Sequence, residues 1–362
     1  MKLLIVGGGL QGLEVCYLAR KSSHKSILID RIPDPIALGL ADEFHKFDIR
    51  KDKKRTKRLI EESDFVIPTT ENIKTLKSLE KASEGNEKKI LFDFNTFFQT
   101  SDKGKMYSIL SDSVRIPSSR SRSSPPWIAK PVFGSGSEGI VKLDSEEDLK
   151  RFEEKTHEKD YIIQKFLEGM KYSTEAIAMG GELYIYETTT LDFDENFQCC
   201  RVICDPVPKD ALNAQEISVK SIYDNFDNLE YLFDVQTIYN GEEMFLFEIN
   251  ARFPSQTPMA VYWSSDVNLL DQLLNPGNFE LSDTGCVVLE HFVKKPHDNP
   301  KLCSEISLLK GKKFEINSDL EHGVEAIIGK AREGKGKIGT VIFAEKDLNM
   351  IRKERKSFYK NF

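Results

Sequence analysis

Short apolar runs alternate with amphipathic stretches through residues 1–100. KLLIV at residues 2–6 is apolar on both faces, as expected of a strand buried in a parallel sheet. A glycine cluster follows, then LEVCYLARK with helical spacing. SILID, DEFHKFDI and DFVIP repeat the strand signal, while KDKKRTKRLIEES and ENIKTLKSLEKAS repeat the helical one. Strand alternating with helix predicts a parallel α/β domain over 1–100.

The pattern changes near Asp102. SVRIPSSRSRSSPPW is turn-rich and reads as a linker. WIAKP, GIVKL and YIIQKFLEG carry strand signals, and FGSGSEG is a flexible glycine–serine loop. DSEEDLKRFEEKT opens on a serine–acid cap and reads as a helix. Residues 173–250 read mainly as antiparallel strands with one helix near 210–223, and GKGKIGTVIFAEKDL as a strand followed by a helix. The expected fold class is therefore α/β plus α+β. A central lobe would span 101–172 and a larger mixed-sheet lobe 173–362.

Composition narrows the function. A chain of 362 residues with 40% hydrophobic content can build two or three domains with real cores. A net charge of −7 argues against a general nucleic-acid binder. The basic IRKERKSFYK reads as a solvated helix face. Cys199, Cys200 and Cys204 cluster without a nearby histidine, so they read as thiols rather than a zinc site, in keeping with a reducing, cytoplasmic compartment. MKLLIVGGG is too short and glycine-broken for a signal peptide. No stretch approaches the roughly 20 apolar residues of a membrane span. The expected partners are small molecules rather than nucleic acid or membrane, and the expected state is a monomer or homodimer.

The chemistry concentrates in FEINARFPSQTPMAV, residues 247–261. Alternation along a strand places Glu248 and Asn250 on one face, and Arg252 as well if the strand continues. Carboxylate and amide oxygens suit a hard cation, and a guanidinium suits phosphate or carboxylate. Lys130 precedes a loop of Gly134, Ser135, Gly136, Ser137 and Gly139, whose small residues let backbone N–H groups approach phosphates. The alternative is a surface lysine beside a mobile turn. Gln164 and Lys165, followed by Phe166 and Leu167, offer an extended backbone and apolar cover for an adenine. Gly7, Gly9 and Gly12 satisfy G-x-G-x-x-G between strand and helix, with Asp30 ending the next strand. That spacing admits an NAD-dependent oxidoreductase, or only a tight turn whose helix start attracts an anion.

The order DK…AKP…GSGSEG…QKFLEG…DVQ…FEINARF resembles the ATP-grasp superfamily from Gly7 to about Asn268. FEINARFPSQTPMAVYWSSDVNLLDQLL and LEHF, with GGGLQGLE, ADEFHKFDI and LFDF, are similar to the PylC-type ligases of pyrrolysine biosynthesis. The resemblance implies ATP held between two α+β lobes behind a parallel α/β domain. It implies a ligase joining (3R)-3-methyl-D-ornithine, through its carboxyl group, to the ε-amine of L-lysine, with ATP becoming ADP and phosphate. By position, Lys103 and Lys130 would hold phosphates, Gly134–Gly139 would form the lid, and Gln164–Leu167 would contact adenine. Gln236, Glu248 and Asn250 occupy metal-ligand positions for two magnesium ions. Arg252, Phe253, Pro254, Ser255 and Thr257 border the D-amino acid, with Arg252 stabilising the oxyanion. Gly9, Leu10, Gln11 and Glu71 face nucleotide and lysine.

Gln236 and Asn250 stand where the family carries acidic residues, leaving Glu248 as the charged ligand. Placing Gln236 on the face of Glu248 and Asn250 demands an odd hairpin loop near Asn240-Gly241, or one bulge, since a regular two-residue turn puts it on the opposite face. Two diamino substrates call for anionic anchors, with Glu71, Glu175 and Glu290 as candidates. Each is alternatively an ordinary ion-pair partner. His291 reads as a packed, hydrogen-bonded residue. Other readings are a different ATP-grasp amino-acid or dipeptide ligase, and a nucleotide sensor without turnover.

Overall fold

The computed structural model describes residues 1–134, 136–157, 160–277, 279, 285–317, 320, 323–332 and 336–362. The chain forms two compact units, one of Met1–Phe94, Cys199–Pro206 and Arg252–Phe362, the other of Asn95–Gln198 and Val207–Ala251.

The first unit opens with β1 (Lys2–Val6), α1 (Leu10–Lys21), β2 (Lys25–Asp30), β3 (Glu43–Lys46), α2 (Lys53–Glu61), β4 (Phe65–Pro68) and α3 (Ile73–Ala82). The strands lie in the order β3-β2-β1-β4, all parallel. Leu3, Leu4 and Ile5 are fully buried, as a central parallel strand requires. Asp52 and Asn72 cap α2 and α3 by accepting the N–H groups of Arg55 and Thr75, so each helix starts where its sequence supplies a cap. The β1–α1 turn needs glycine for space, because a Cβ on Gly12 would sit 2.1 Å from the Gly7 carbonyl oxygen.

The second unit holds α4 (Phe94–Thr100) from its second residue onward, then α5 (Lys103–Leu110), β5 (Trp127–Pro131), β6 (Val141–Leu143), α6 (Glu146–Glu153), β7 (Tyr161–Lys165), β8 (Met170–Met179) and β9 (Glu182–Phe193). The chain visits the first unit as β10 (Cys199–Cys204), then returns for α7 (Lys209–Asn225), β11 (Tyr231–Tyr239) and β12 (Met244–Asn250). The small antiparallel sheet β6-β5-β7 buries Trp127, Ala129 and Leu143 against Leu149 of α6. The segment expected to be a linker joins α5 to β5 and is mostly exposed or half-buried, though part of its backbone is paired. The Ser118 and Pro126 carbonyls accept the N–H groups of Lys165 and Phe166, and Ser119 bridges to Gln164, so the connector satisfies backbone groups at the end of β7. The larger antiparallel sheet of this unit runs β12-β11-β8-β9.

The first unit closes with α8 (Thr257–Ser265), α9 (Leu269–Leu274), β13 (Cys286–Lys294), β14 (Lys301–Leu302), α10 (Glu305–Leu308), β15 (Gly311–Asn317), β16 (Val324–Ala331), β17 (Lys337–Glu345) and α11 (Leu348–Asn361). Its antiparallel strands run β10-β13-β17-β16-β15, with β14 beside β13. The strand and helix expected near the C-terminus are β17 and α11; Gly334 and Lys335 lie outside the described residues. Ile351 and Phe358 of α11 are buried against Phe292 and Phe343, so IRKERKSFYK is an amphipathic helix with its basic residues away from that buried side.

Candidate functional site

In the second unit the hairpin β11–β12 carries a bulge. Thr237 pairs with Leu246, but Gln236 pairs with Glu248 and Asp234 with Asn250, so Phe247 is the extra residue. The sequence demanded an odd loop or one bulge, and a bulge is present. Paired residues share a face, and β8 extends it, with Ser173 opposite Gln236 and Glu175 opposite Asp234. The result is a polar face on three neighbouring strands: Ser173 and Glu175, Asp234 and Gln236, Glu248 and Asn250.

Asp234 organises that face. It is fully buried, and its Oδ2 accepts the side-chain amides of Gln236 at 2.9 Å and Asn250 at 3.1 Å. Sequence reasoning passed over it, although its place two residues before Gln236 on the same strand was the available signal. Glu175 is also fully buried and accepts from the Ser173 hydroxyl at 3.2 Å.

Lys103, Lys130 and Glu248 line one cavity of this unit. The Lys103 ammonium donates to the Gly134 carbonyl at 3.0 Å and lies 3.8 Å from the Glu248 carboxylate. Lys130 is 6% exposed and lies 5.5 Å from the centre of the Phe247 ring. Burial pulls its pKa down from 10.5 to about 8, against the opposing pull of Glu248 and with a smaller push from Lys103. Phe166, Phe193, Phe197 and Phe247 add aromatic surface, and Lys165 and Lys171 further positive charge. Phe193, Phe197 and Lys171 come from strand and turn positions with no distinguishing local pattern.

The glycine–serine loop enters the same cavity through Gly134 and Ser137. Gly136 and Ser137 both adopt positive φ, +63° and +59°. The Ser137 hydroxyl donates to the Phe197 carbonyl. Ser135 lies outside the described residues. Lys165, Phe166 and Leu167 line the cavity but Gln164 does not. Its amide donates to the Pro117 carbonyl at 3.2 Å, and its buried Oε1 has no hydrogen-bond partner among the described residues. The Lys165 ammonium is held by the carbonyls of Ser124 and Pro125, at 3.0 and 3.1 Å.

The remaining expected residues belong to the first unit. β12 ends at Asn250, so Arg252 is not carried on the strand face with Glu248. It sits 12% exposed and donates from Nε to Glu71 at 2.7 Å, and Gln11 donates to the same Glu71 oxygen at 2.7 Å. Gly9 and Leu10 form the start of α1 beside Gln11. Phe253 and Pro254 are buried, Ser255 is half-buried, and Thr257 begins α8 with its hydroxyl buried and without a hydrogen-bond partner among the described residues. Gln256 takes φ +77°, and the buried Glu14 accepts its N–H at 2.8 Å and that of Met259 at 2.9 Å.

Two candidates are otherwise engaged. Glu290, expected as a substrate anchor, is fully buried and held by the guanidinium groups of Arg201 and Arg355 and by the Tyr359 hydroxyl. Asp30, the acid of the dinucleotide spacing, accepts the Gly8 N–H on one oxygen at 2.7 Å and the Ile32 N–H on the other at 2.8 Å. Its carboxylate ties down its own turn. His291 is buried, with Nδ1 3.0 Å from the Thr340 hydroxyl. Among the described residues, no group of three or more His, Cys, Asp or Glu is placed to hold a metal, and no helix is long and apolar enough to cross a membrane. The clustered cysteines are free thiols.

Known proteins fit this arrangement. Residues 100–256 match the ATP-grasp domain family. The chain is 33% identical over 272 residues to the 3-methyl-D-ornithine–L-lysine ligase of Methanosarcina acetivorans, covering 75% of this chain and 72% of that protein. It is likewise 33% identical over 274 residues to the ligase of the same name from Methanosarcina barkeri, with 75% and 72% covered. In fold it resembles N5-carboxyaminoimidazole synthetase from Staphylococcus aureus, solved with ADP, at a TM-score of 0.74 and 16% identity over 99% of this chain and 96% of that one. The chain belongs to the 3-methyl-D-ornithine–L-lysine ligase family of the ATP-grasp superfamily, ATP-dependent enzymes that join a carboxylate to an amine.

Proposed function

We propose that this protein joins 3-methyl-D-ornithine, through its carboxyl group, to the ε-amine of L-lysine in the cytoplasm, as a step of pyrrolysine biosynthesis. The observation that carries the nucleotide assignment is the convergence of Lys103, Lys130 and Glu248 on one cavity floored by phenylalanine rings. Two ammonium groups suit a polyphosphate, and aromatic surface suits a purine. Lys165–Leu167 lie where they can cover the base.

The donor set fits magnesium. Asp234 binds the amide nitrogens of Gln236 and Asn250, which leaves the amide oxygens to face a cation alongside the Glu248 carboxylate. Magnesium is served by one or two carboxylates completed by phosphate oxygens and water. When bound, it would neutralise charge on the phosphates.

The acid's carboxylate attacks the γ-phosphorus of ATP and ADP departs, leaving an acyl phosphate. The neutral lysine ε-amine then attacks the carbonyl carbon, phosphate leaves, and the nitrogen loses a proton. Lys103 and Lys130 position the transferred phosphoryl group. Arg252 stabilises the oxyanion of the second step, and Glu71 orients its guanidinium. Ser137 and its glycine neighbours shield the acyl phosphate from water. Of the expected ammonium anchors, Glu71 holds Arg252 and Glu290 is held by two arginines, which leaves Glu175 as the candidate.

The test combines 3-methyl-D-ornithine, L-lysine and Mg-ATP, with mass detection of the amide and stoichiometric ADP. Amide formation requiring all three components supports the assignment. ADP release with another acid and amine, and none with this pair, would move the protein to a different ATP-grasp ligation.

A further inference from the structure

We infer that Tyr107 is a positioning residue, its hydroxyl holding the β12 bulge that brings Glu248 and Asn250 onto the face of Gln236 and Asp234. The inference rests on the nucleotide reading of that face and adds a residue to it.

Register makes the bulge necessary. From Tyr239↔Met244 to Thr237↔Leu246 the pairing is regular. Continued without interruption it would set Gln236 against Phe247, and Val235 against Glu248. Glu248 and Asn250 would then lie on the face opposite Gln236 and Asp234. One inserted residue restores the alignment, and that residue is Phe247.

A bulge withdraws its extra residue from regular ladder pairing, so its backbone needs support from elsewhere. Here the Tyr107 hydroxyl donates to the Phe247 carbonyl at 3.1 Å, from a side chain 9% exposed. One residue earlier, the Leu246 N–H donates to the Arg115 carbonyl at 2.9 Å. Tyr107 stands four residues after Lys103 on α5, so both face the same way. One helix face thus sets Lys103 beside Glu248 and clamps the adjoining peptide. Tyr107 itself lines no part of the cavity, so it acts through the strand.

Tyr107→Phe removes the hydroxyl and keeps the ring. Hydrogen exchange of the 244–250 peptide should quicken about five- to tenfold, the scale of one lost hydrogen bond. Titration with ADP should show half-saturating Mg2+ raised by a similar factor, while ADP binding without metal and the KM for the amino-acid substrates stay unchanged. Unaltered exchange would overturn the inference. So would faster exchange with an unaltered Mg2+ requirement, which would make the hydroxyl a purely structural bond. Failure of the unaltered protein to bind Mg-ADP would overturn the nucleotide reading itself, and this inference with it.

Discussion

Asp234 faces Asn250 directly across the β11–β12 ladder and accepts its side-chain amide at 3.1 Å, while the same oxygen accepts Gln236 at 2.9 Å. One buried carboxylate therefore fixes the orientation of two neutral side chains. The arrangement explains how a site with amides at two of its three expected metal positions can still present oxygen atoms to a cation.

Asp234→Asn keeps the shape and replaces an acceptor oxygen with an N–H donor or a weaker carbonyl. The amides of Gln236 and Asn250 lose a charged partner. The expected cost is about 1–3 kcal/mol in urea unfolding, with Mg-nucleotide affinity reduced at least tenfold. A variant with native stability and native affinity would remove Asp234 from this role.

Lys130 carries a lowered pKa. Its folded pKa of about 8 lies below its ordinary 10.5 because burial penalises the ammonium. Between those values the unfolded chain holds a proton that the folded chain has released, so stability rises with pH across the window and is lost again as pH falls towards 8. Nucleotide binding runs the other way, since the free protein loses its phosphate-binding charge above pH 8. Lys130→Met should weaken ATP at pH 7 by about tenfold or more and flatten the alkaline fall in affinity. Calorimetric titrations at pH 7 and 9 on both proteins decide it.

Periodicity made much of the architecture readable. β1, β2 and β4 are runs buried in a parallel sheet, and helix starts follow Asp52, Asn72 and Ser145, each accepting a backbone N–H of the following turn. The strand alternation of Glu248 and Asn250 was equally legible. What escaped depended on distant chain. Glu290 looks like a free acid in VVLEHF, because Arg201 and Arg355 reach it only through folding. The connector at 115–126 looks loose because its partners are backbone groups at the end of β7, which composition does not encode. Arg252 follows the strand pattern in sequence, yet β12 stops at Asn250 and the next residues join the other unit.

Arg252 is held by Glu71, a pair with side-chain exposures of 12% and 20%. Arg252→Ala should abolish amide formation, by at least a hundredfold in kcat, with ADP affinity changed less than about twofold. Glu71→Gln keeps a hydrogen-bond acceptor but drops the charge that orients the guanidinium. It should fall between Arg252→Ala and the unaltered protein. Equal turnover by all three would end the oxyanion assignment.

Gly12→Ala tests the turn that begins α1. The new Cβ would stand 2.1 Å from the Gly7 carbonyl oxygen, backbone that cannot move without disturbing β1. The expected destabilisation is about 1–3 kcal/mol, as for overpacking elsewhere. Gly85→Ala is the control for helix-end glycines, because nothing lies within 4 Å of its Cβ, although its φ of +83° adds strain. Thermal melts should rank Gly12→Ala well below Gly85→Ala, and the reverse order would mean that the turn yields.

His291 gives the fold an acid limit. Its ring is 1% exposed, Nε2 has no hydrogen-bond partner among the described residues, and burial holds its pKa down at about 3 against an ordinary 6.5. Between those values the unfolded chain takes up a proton that the folded chain refuses, so stability falls as pH drops from 6.5 towards 3. The slope from one such group is roughly 1.4 kcal/mol per pH unit at its steepest. Replacing the ring by an untitratable side chain of similar bulk, His291→Phe, removes that term and leaves the contribution of the carboxylates. Urea unfolding at pH 6, 5 and 4 should therefore show a shallower acid decline in the variant by about 1 kcal/mol per unit. Parallel declines in the two proteins would mean that the folded state accommodates the protonated ring, contrary to its complete burial beside Thr340.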